Sequence, residues 1–293
     1  MRENGHSFDY PPVEKPKVLL PAVLFLATVV TTVISGALYQ GADIFADPMS
    51  LTRGVPFSLS LLLILGTHEL GHFLASRRHG VVTTLPTFIP GPPFPPMIGT
   101  FGAVIRIKSP ITTKAALVEI GASGPLAGFV IALFVTLWGL EHSAVVPRTM
   151  AAGSLGLGSS LIFYALSYVT VGPVPATHDV LLHPVAFAGW IGFFVTAMNL
   201  LPIGQLDGGH LVYSLLGRRH RLFSMVMIGL LVVLGILAWP GWFVWAALIT
   251  FIGIWHPPVE DQHRPMDPKR RLVAVSALAV FVLTFIPTPF YIV

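Results

Sequence analysis

There is no cysteine in the 293-residue chain. That excludes a disulfide framework, a thiolate metal site and a cysteine nucleophile. Charge is scarce as well. Asp, Glu, Lys and Arg together make 10% of the residues, against about 25% in an ordinary soluble domain. Hydrophobic residues make 54%. Such a chain has too few polar groups to cover its own surface, so lipid must cover much of it. The same composition excludes disorder and collagen-like structure. A net charge of only +4 gives no nucleic-acid face.

What is present is a series of apolar runs about as long as a bilayer is thick. The first, residues 18–39, holds no charged residue. It is too long for a signal-peptide core, and no clean small-x-small cleavage site follows. The others are 55–76, 115–140, 184–201, 222–238, 242–255 and 272–287, the fifth and sixth being split by Pro240-Gly241. These predict seven spans. Residues 155–171 form a weaker eighth candidate, with Gly156, Gly158, Ser159 and Ser160 in its first half.

Lys and Arg set the orientation. With the N-terminus inside and seven spans alternating, 15 of the 17 cations fall inside, leaving Arg53 and Arg148 outside. An eighth span would move Arg218, Arg219 and Arg221 outside, so 155–171 is read as interfacial or re-entrant. Residues 81–107 carry Pro86, Pro90, Pro92, Pro93, Pro95 and Pro96, a density no helix survives. Their β-branched and aromatic flanks, 81–89 and 100–107, predict a short hairpin apolar enough to dip into the membrane. The expected fold is therefore an all-α polytopic membrane protein. It has about seven transmembrane helices, a proline-rich β-hairpin, a single domain over 1–293, and a cytoplasmic N-terminus.

The second run contains His68-Glu69-Leu70-Gly71-His72. On a helix, residues i and i+4 lie on one face a turn apart, so the two imidazoles can share one zinc ion. Glu69 is placed to act as general base on a metal-bound water. Ionisable groups in hydrocarbon are costly and default to function. A catalytic zinc has three protein ligands and an open position. Three carboxylates are near enough to supply the third: Glu119, Glu141 and Asp207. Glu141 follows the outer end of its span, away from the histidines, and Glu119 sits where a Glu commonly meets headgroup water. Asp207 comes just after Pro202 and Gly204, which break the fourth apolar run. Broken backbone at membrane depth lines a cavity or is buried in protein. The competing reading of Asp207 is an N-cap for the next helix.

His-Glu-x-x-His in an apolar helix, with Asn199-Leu200-Leu201-Pro202-Ile203-Gly204-Gln205-Leu206-Asp207-Gly208 far downstream, resembles the site-2 protease family of intramembrane zinc metalloproteases. The stretch Gly121-Ala122-Ser123-Gly124-Pro125-Leu126-Ala127-Gly128 is similar to the family's small-residue motif. The resemblance covers a core of about 58–216 and is nearest to the PDZ-lacking bacterial and plastid branch. It implies one Zn2+ per chain on His68, His72 and Asp207, with Glu69 as base. It also implies that Asn199 and Pro202 shape the active-site end of the fourth span. The implied reaction is hydrolysis of a peptide bond within or near the transmembrane segment of a single-span membrane-protein substrate, as in regulated intramembrane proteolysis.

With no resemblance to a transit peptide, a prokaryotic plasma membrane is expected. The alternative function is a zinc or proton transporter using the same groups, although a carrier needs no base beside its histidine pair and no inverted repeat is visible. His210 is a second oxyanion candidate beside Asn199, or a helix-capping residue. His6, His79, His142, His178, His220, His256 and His263 read as loop or span-end residues.

Overall fold

The computed structural model describes residues 18–148, 155–261 and 265–292. Arg2, His6, Lys15, Lys17, His263 and Arg264 lie outside the described residues. The chain folds mainly as helices: α1 (Leu19–Tyr39), α2 (Val55–Arg78), α3 (Lys114–Glu141), α4 (Leu161–Thr170), α5 (Pro184–Asn199), α6 (Asp207–Leu216), α7 (His220–Leu237), α8 (Gly241–Ile252) and α9 (Pro268–Thr284). Each of the seven apolar runs of the sequence folds as one of these helices.

Four helical stretches are long and apolar enough to cross a membrane: Leu19–Tyr39, Pro48–Arg78, Lys114–Glu141 and Asp207–Leu237. Helices α4, α5 and α8 are shorter apolar helices. The ten residues of α4 rise only about 15 Å, half a hydrocarbon core. Large apolar side chains remain uncovered along the outer faces, among them Leu19, Leu237 and Phe251 at 78%, 78% and 92% exposure. A lipid environment accounts for such faces.

Local chemistry sets the helix ends. Proline stands in the first turn of α2, α5 and α9, where its missing N–H costs nothing. Thr113, Ser160, His183 and Asp267 each accept an amide hydrogen at the start of a helix.

Three small sheets join the helices. Strand β1 (Thr87–Pro90) pairs antiparallel with β2 (Thr100–Val104), and a lone bridge joins Thr83 to Ile107. The second flank expected from the sequence, 100–107, contains β2, while β1 runs one residue past the first, 81–89, to Pro90; the ladder is shorter than the flanks. Two further pairs correct the expectation of one hairpin in an otherwise helical chain. Strand β3 (Ala144–Pro147) pairs with β5 (His178–Leu181), and β4 (Leu155–Leu157) pairs with β6 (Phe290–Ile292).

Helix α3 is the centre of the molecule, with α2, α5, α6 and α9 packed around it. A Cβ on Gly71 of α2 would meet the Ser123 carbonyl oxygen of α3 at 2.6 Å, so these two backbones nearly touch. The main core joins Phe57, Leu61 and Ile64 of α2 to Ala132 and Val135 of α3 and to Trp190 and Phe193 of α5. Trp190 and Trp242 are buried, and each donates its indole N–H to a backbone carbonyl, of Gly158 and Pro287 respectively. Trp255 is an exposed tryptophan with the Arg221 guanidinium 3.7 Å above its ring.

Candidate metal centre

His68 and His72 lie one turn apart on α2, both buried, and face the start of α6. The His72 Nε2 and His68 Nε2 atoms are 3.1 Å apart. Asp207 Oδ2 lies 3.2 Å from His72 Nε2 and 3.6 Å from His68 Nε2. Among the described residues, this is the group of three that could hold a metal ion. A tetrahedral ion with nitrogen and oxygen ligands at about 2.0–2.1 Å sets its ligand atoms about 3.3 Å apart. The three edges fit one zinc-sized ion. Glu119 and Glu141 are not part of the group.

Asp207 reaches this point because of the break before it. Helix α5 ends at Asn199, and Gly204 turns the chain at a φ of +58°. The intervening Leu200, Leu201 and Ile203 are fully buried, as backbone at membrane depth requires. Side chains at Gly208 and Gly209 would collide with the Leu200 and Gly204 carbonyl oxygens at 2.0 and 2.4 Å, so the first turn of α6 nests directly on the break. The cap reading of Asp207 does not hold: Leu206 is the N-cap, and the Asp207 carboxylate is turned to the histidines.

Helix α3 forms the floor. The His72 Nδ1–H donates to the Ile120 carbonyl at 2.7 Å. A carbonyl only accepts, so this bond puts the proton on Nδ1 and leaves the Nε2 lone pair for a metal. Gly124 and Gly128 lie beneath the two imidazoles: a Cβ at Gly124 would fall 2.1 Å from His72 Nε2, and one at Gly128 3.2 Å from His68 Cβ. The Ile120 carbonyl has no residue signature, because a backbone acceptor is common to every residue type.

Glu69 is also buried, and the Ile105 backbone, just past β2, lies near its carboxylate. The Asn199 side-chain amide lies 3.1 Å from His68 Nε2, at the rim of the triangle. Pro202 sits within the break. His210 is turned elsewhere. His256 Nδ1–H donates to the Pro257 carbonyl, so His256 Nε2 accepts from His210 Nδ1–H at 2.7 Å. Neutral His210 therefore has no Nε2–H to offer an oxyanion, and it caps nothing. His256 stacks on Tyr213 with ring centroids 4.1 Å apart, so it is more than a loop residue. The basic ends of the helices are tied by Glu119, which accepts from His79 Nε2 at 2.7 Å and from Arg270 at 2.8 Å.

The chain matches Peptidase family M50 over residues 56–238. It is 34% identical over 250 residues to the protein named probable zinc metalloprotease EGY1, chloroplastic, of Arabidopsis thaliana, covering 80% of this chain and 43% of that one. It is 32% identical over 257 residues to the probable zinc metalloprotease EGY2, chloroplastic, of the same plant, covering 82% of this chain and 43% of that one. The chain thus spans less than half the length of these curated relatives. Their chloroplast names do not match the prokaryotic plasma membrane expected from the sequence; a multi-pass membrane protein stands. No solved structure matches. The match over residues 56–238 takes in the paired histidines, the glycine floor and Asp207, and the chain belongs to peptidase family M50.

Proposed function

We propose that this protein is an intramembrane zinc endopeptidase of single domain, cleaving a single-span membrane-protein substrate within or near its transmembrane segment. One observation carries the reading. His68, His72 and Asp207 converge from two helices onto one buried point, with edges of 3.1 to 3.6 Å, and Glu69 stands in the same apolar helix. Family membership supports a peptidase over a metal or proton carrier.

His68, His72 and Asp207 would hold one zinc per chain, which would supply Lewis-acid polarisation of the scissile carbonyl and a more acidic water. Glu69 takes the proton from the attacking water and delivers it to the leaving amine. The Asn199 amide donates to the oxyanion as it forms. Pro202 ends the fourth span, so that Asn199 and Asp207 stand on either side of one break. Strands β1 and β2 dip into the membrane, and the edge of β2 beside Glu69 receives the substrate as an added strand once its helix has unwound. The surrounding apolar helices admit little bulk water.

Glu69→Gln tests this. It preserves shape and removes the base. Zinc should stay at one per chain and substrate should still bind, while cleavage of a single-span substrate by the purified protein should fall by ~10²–10⁴-fold. Cleavage at the native rate would reject Glu69 as base. Zinc-dependent flux through proteoliposomes, with no cleavage of any segment, would favour the carrier.

A further inference from the structure

A cleft of about 540 Å³ opens between α2, α3 and α9, and none of His68, Glu69, His72 and Asp207 lines it. Its wall is apolar, with Leu74, Leu126 and Val273, and its rim is cationic, with Arg78, Lys269 and Arg270. Two carboxylates share that rim, and both are held. Arg270 donates to Glu119 at 2.8 Å and to Asp267 at 2.5 Å, and Glu119 also accepts from His79. Three cations against two carboxylates leave a net positive rim. Among the described residues, Arg78 and Lys269 are in no ion pair.

The wall decides what kind of anion fits. Leu74 is 56% exposed on a helix long and apolar enough to cross a membrane. A soluble anion would satisfy the rim and leave that wall bare. A zwitterionic lipid would cover the wall but set its own cation against Arg78 and Lys269. We infer that the cleft between α2, α3 and α9 is a binding site for one anionic phospholipid, its phosphate on Arg78 and Lys269 and an acyl chain along Leu74, Leu126 and Val273. Basic pockets between transmembrane helices hold such headgroups by this combination of charge and apolar cover. Gly71 and Ser123 also line the cleft. They precede His72 and Gly124, so the lipid would rest against the helix contact that carries the metal ligands.

The test counts bound lipid by native mass spectrometry on the purified chain in detergent, titrated with phosphatidylglycerol, phosphatidylcholine or inorganic phosphate. One phosphatidylglycerol per chain should be retained in preference to phosphatidylcholine. Arg78→Gln with Lys269→Gln should weaken that binding at least roughly tenfold. Arg218→Gln with Arg219→Gln, which removes two cations outside the cleft, should leave it unchanged. Val273→Trp fills the wall and spares the rim, and should also expel the lipid; it decides the matter if the double variant fails to fold. Equal retention of the two lipids, or full retention by the wall variant, overturns the proposal. Displacement of phosphatidylglycerol by inorganic phosphate overturns it too, since the site would then be one for soluble anions.

Discussion

The imidazole of His72 stands where a side chain of residue 124 would be: a Cβ on Gly124 would lie 2.1 Å from His72 Nε2. No non-bonded carbon–nitrogen pair tolerates that distance, so the ligand position and the missing side chain are one requirement. Gly124→Ala should displace His72 from the triangle while leaving every ligand residue in the sequence. Zinc affinity should fall by roughly 10–100-fold or more, as when a group orienting a ligand is lost. Gly128→Ala, whose Cβ would meet His68 Cβ at 3.2 Å, should be milder. Zinc per chain, measured after dialysis against a graded chelator, checks both.

His68→Ala removes one corner of the triangle, and with it two of the three edges, and should leave almost no zinc. Asp207→Asn keeps an oxygen in place and loses the charge. It should therefore weaken zinc and cleavage together, where Glu69→Gln separates them. A fully occupied site in His68→Ala would remove that histidine from the ligand set.

His256 lies outside the apolar spans, and burial holds its imidazole below the usual range, against the opposing bond to the Pro257 carbonyl. His210, Tyr213 and His220 face it from α6 and α7. The unfolded chain then binds more protons there than the folded one. Stability is complete above about pH 6.5, the ordinary imidazole value, and declines as the pH falls below it. His256→Gln keeps an acceptor for His210 and removes the titration. Between pH 7.5 and 5.5 the apparent Tm of the parent should drop by roughly a few °C more than that of the variant.

The chain has no cysteine of its own, so single introduced cysteines report topology without background. Arg219→Cys should react with an impermeant thiol reagent from the side that holds most of the cations, and Arg53→Cys from the opposite side. Labelling of both from one side would reject the seven-span arrangement.

The helices were legible because their signals are local. Apolar length marked each of the seven runs, and each folds as a helix. The histidine pair was legible for the same reason, since i, i+4 spacing is a property of a single turn. Asp207 could be read from Pro202 and Gly204, whose break needs a buried place to sit. What stayed hidden is non-local. His256 meets His210 across 46 residues, and Arg270 meets Glu119 across 151. Strands of three or four residues, such as β4 and β6, carry too short a period to announce a partner. The Ile120 carbonyl is common to every residue type and leaves no mark in the sequence at all.

The pairing of β4 with β6 also has a meaning in time. The chain is made from its amino end at about 5–20 residues per second. Leu155–Leu157 must therefore wait for Phe290–Ile292, on the order of ten seconds later, before its hydrogen bonds can close. Until then the edge of β4 is an open template, and Trp242 has no Pro287 carbonyl to receive its indole N–H. His68, His72 and Asp207 are all made before the strand that closes this seam, so the candidate metal centre does not depend on its closing.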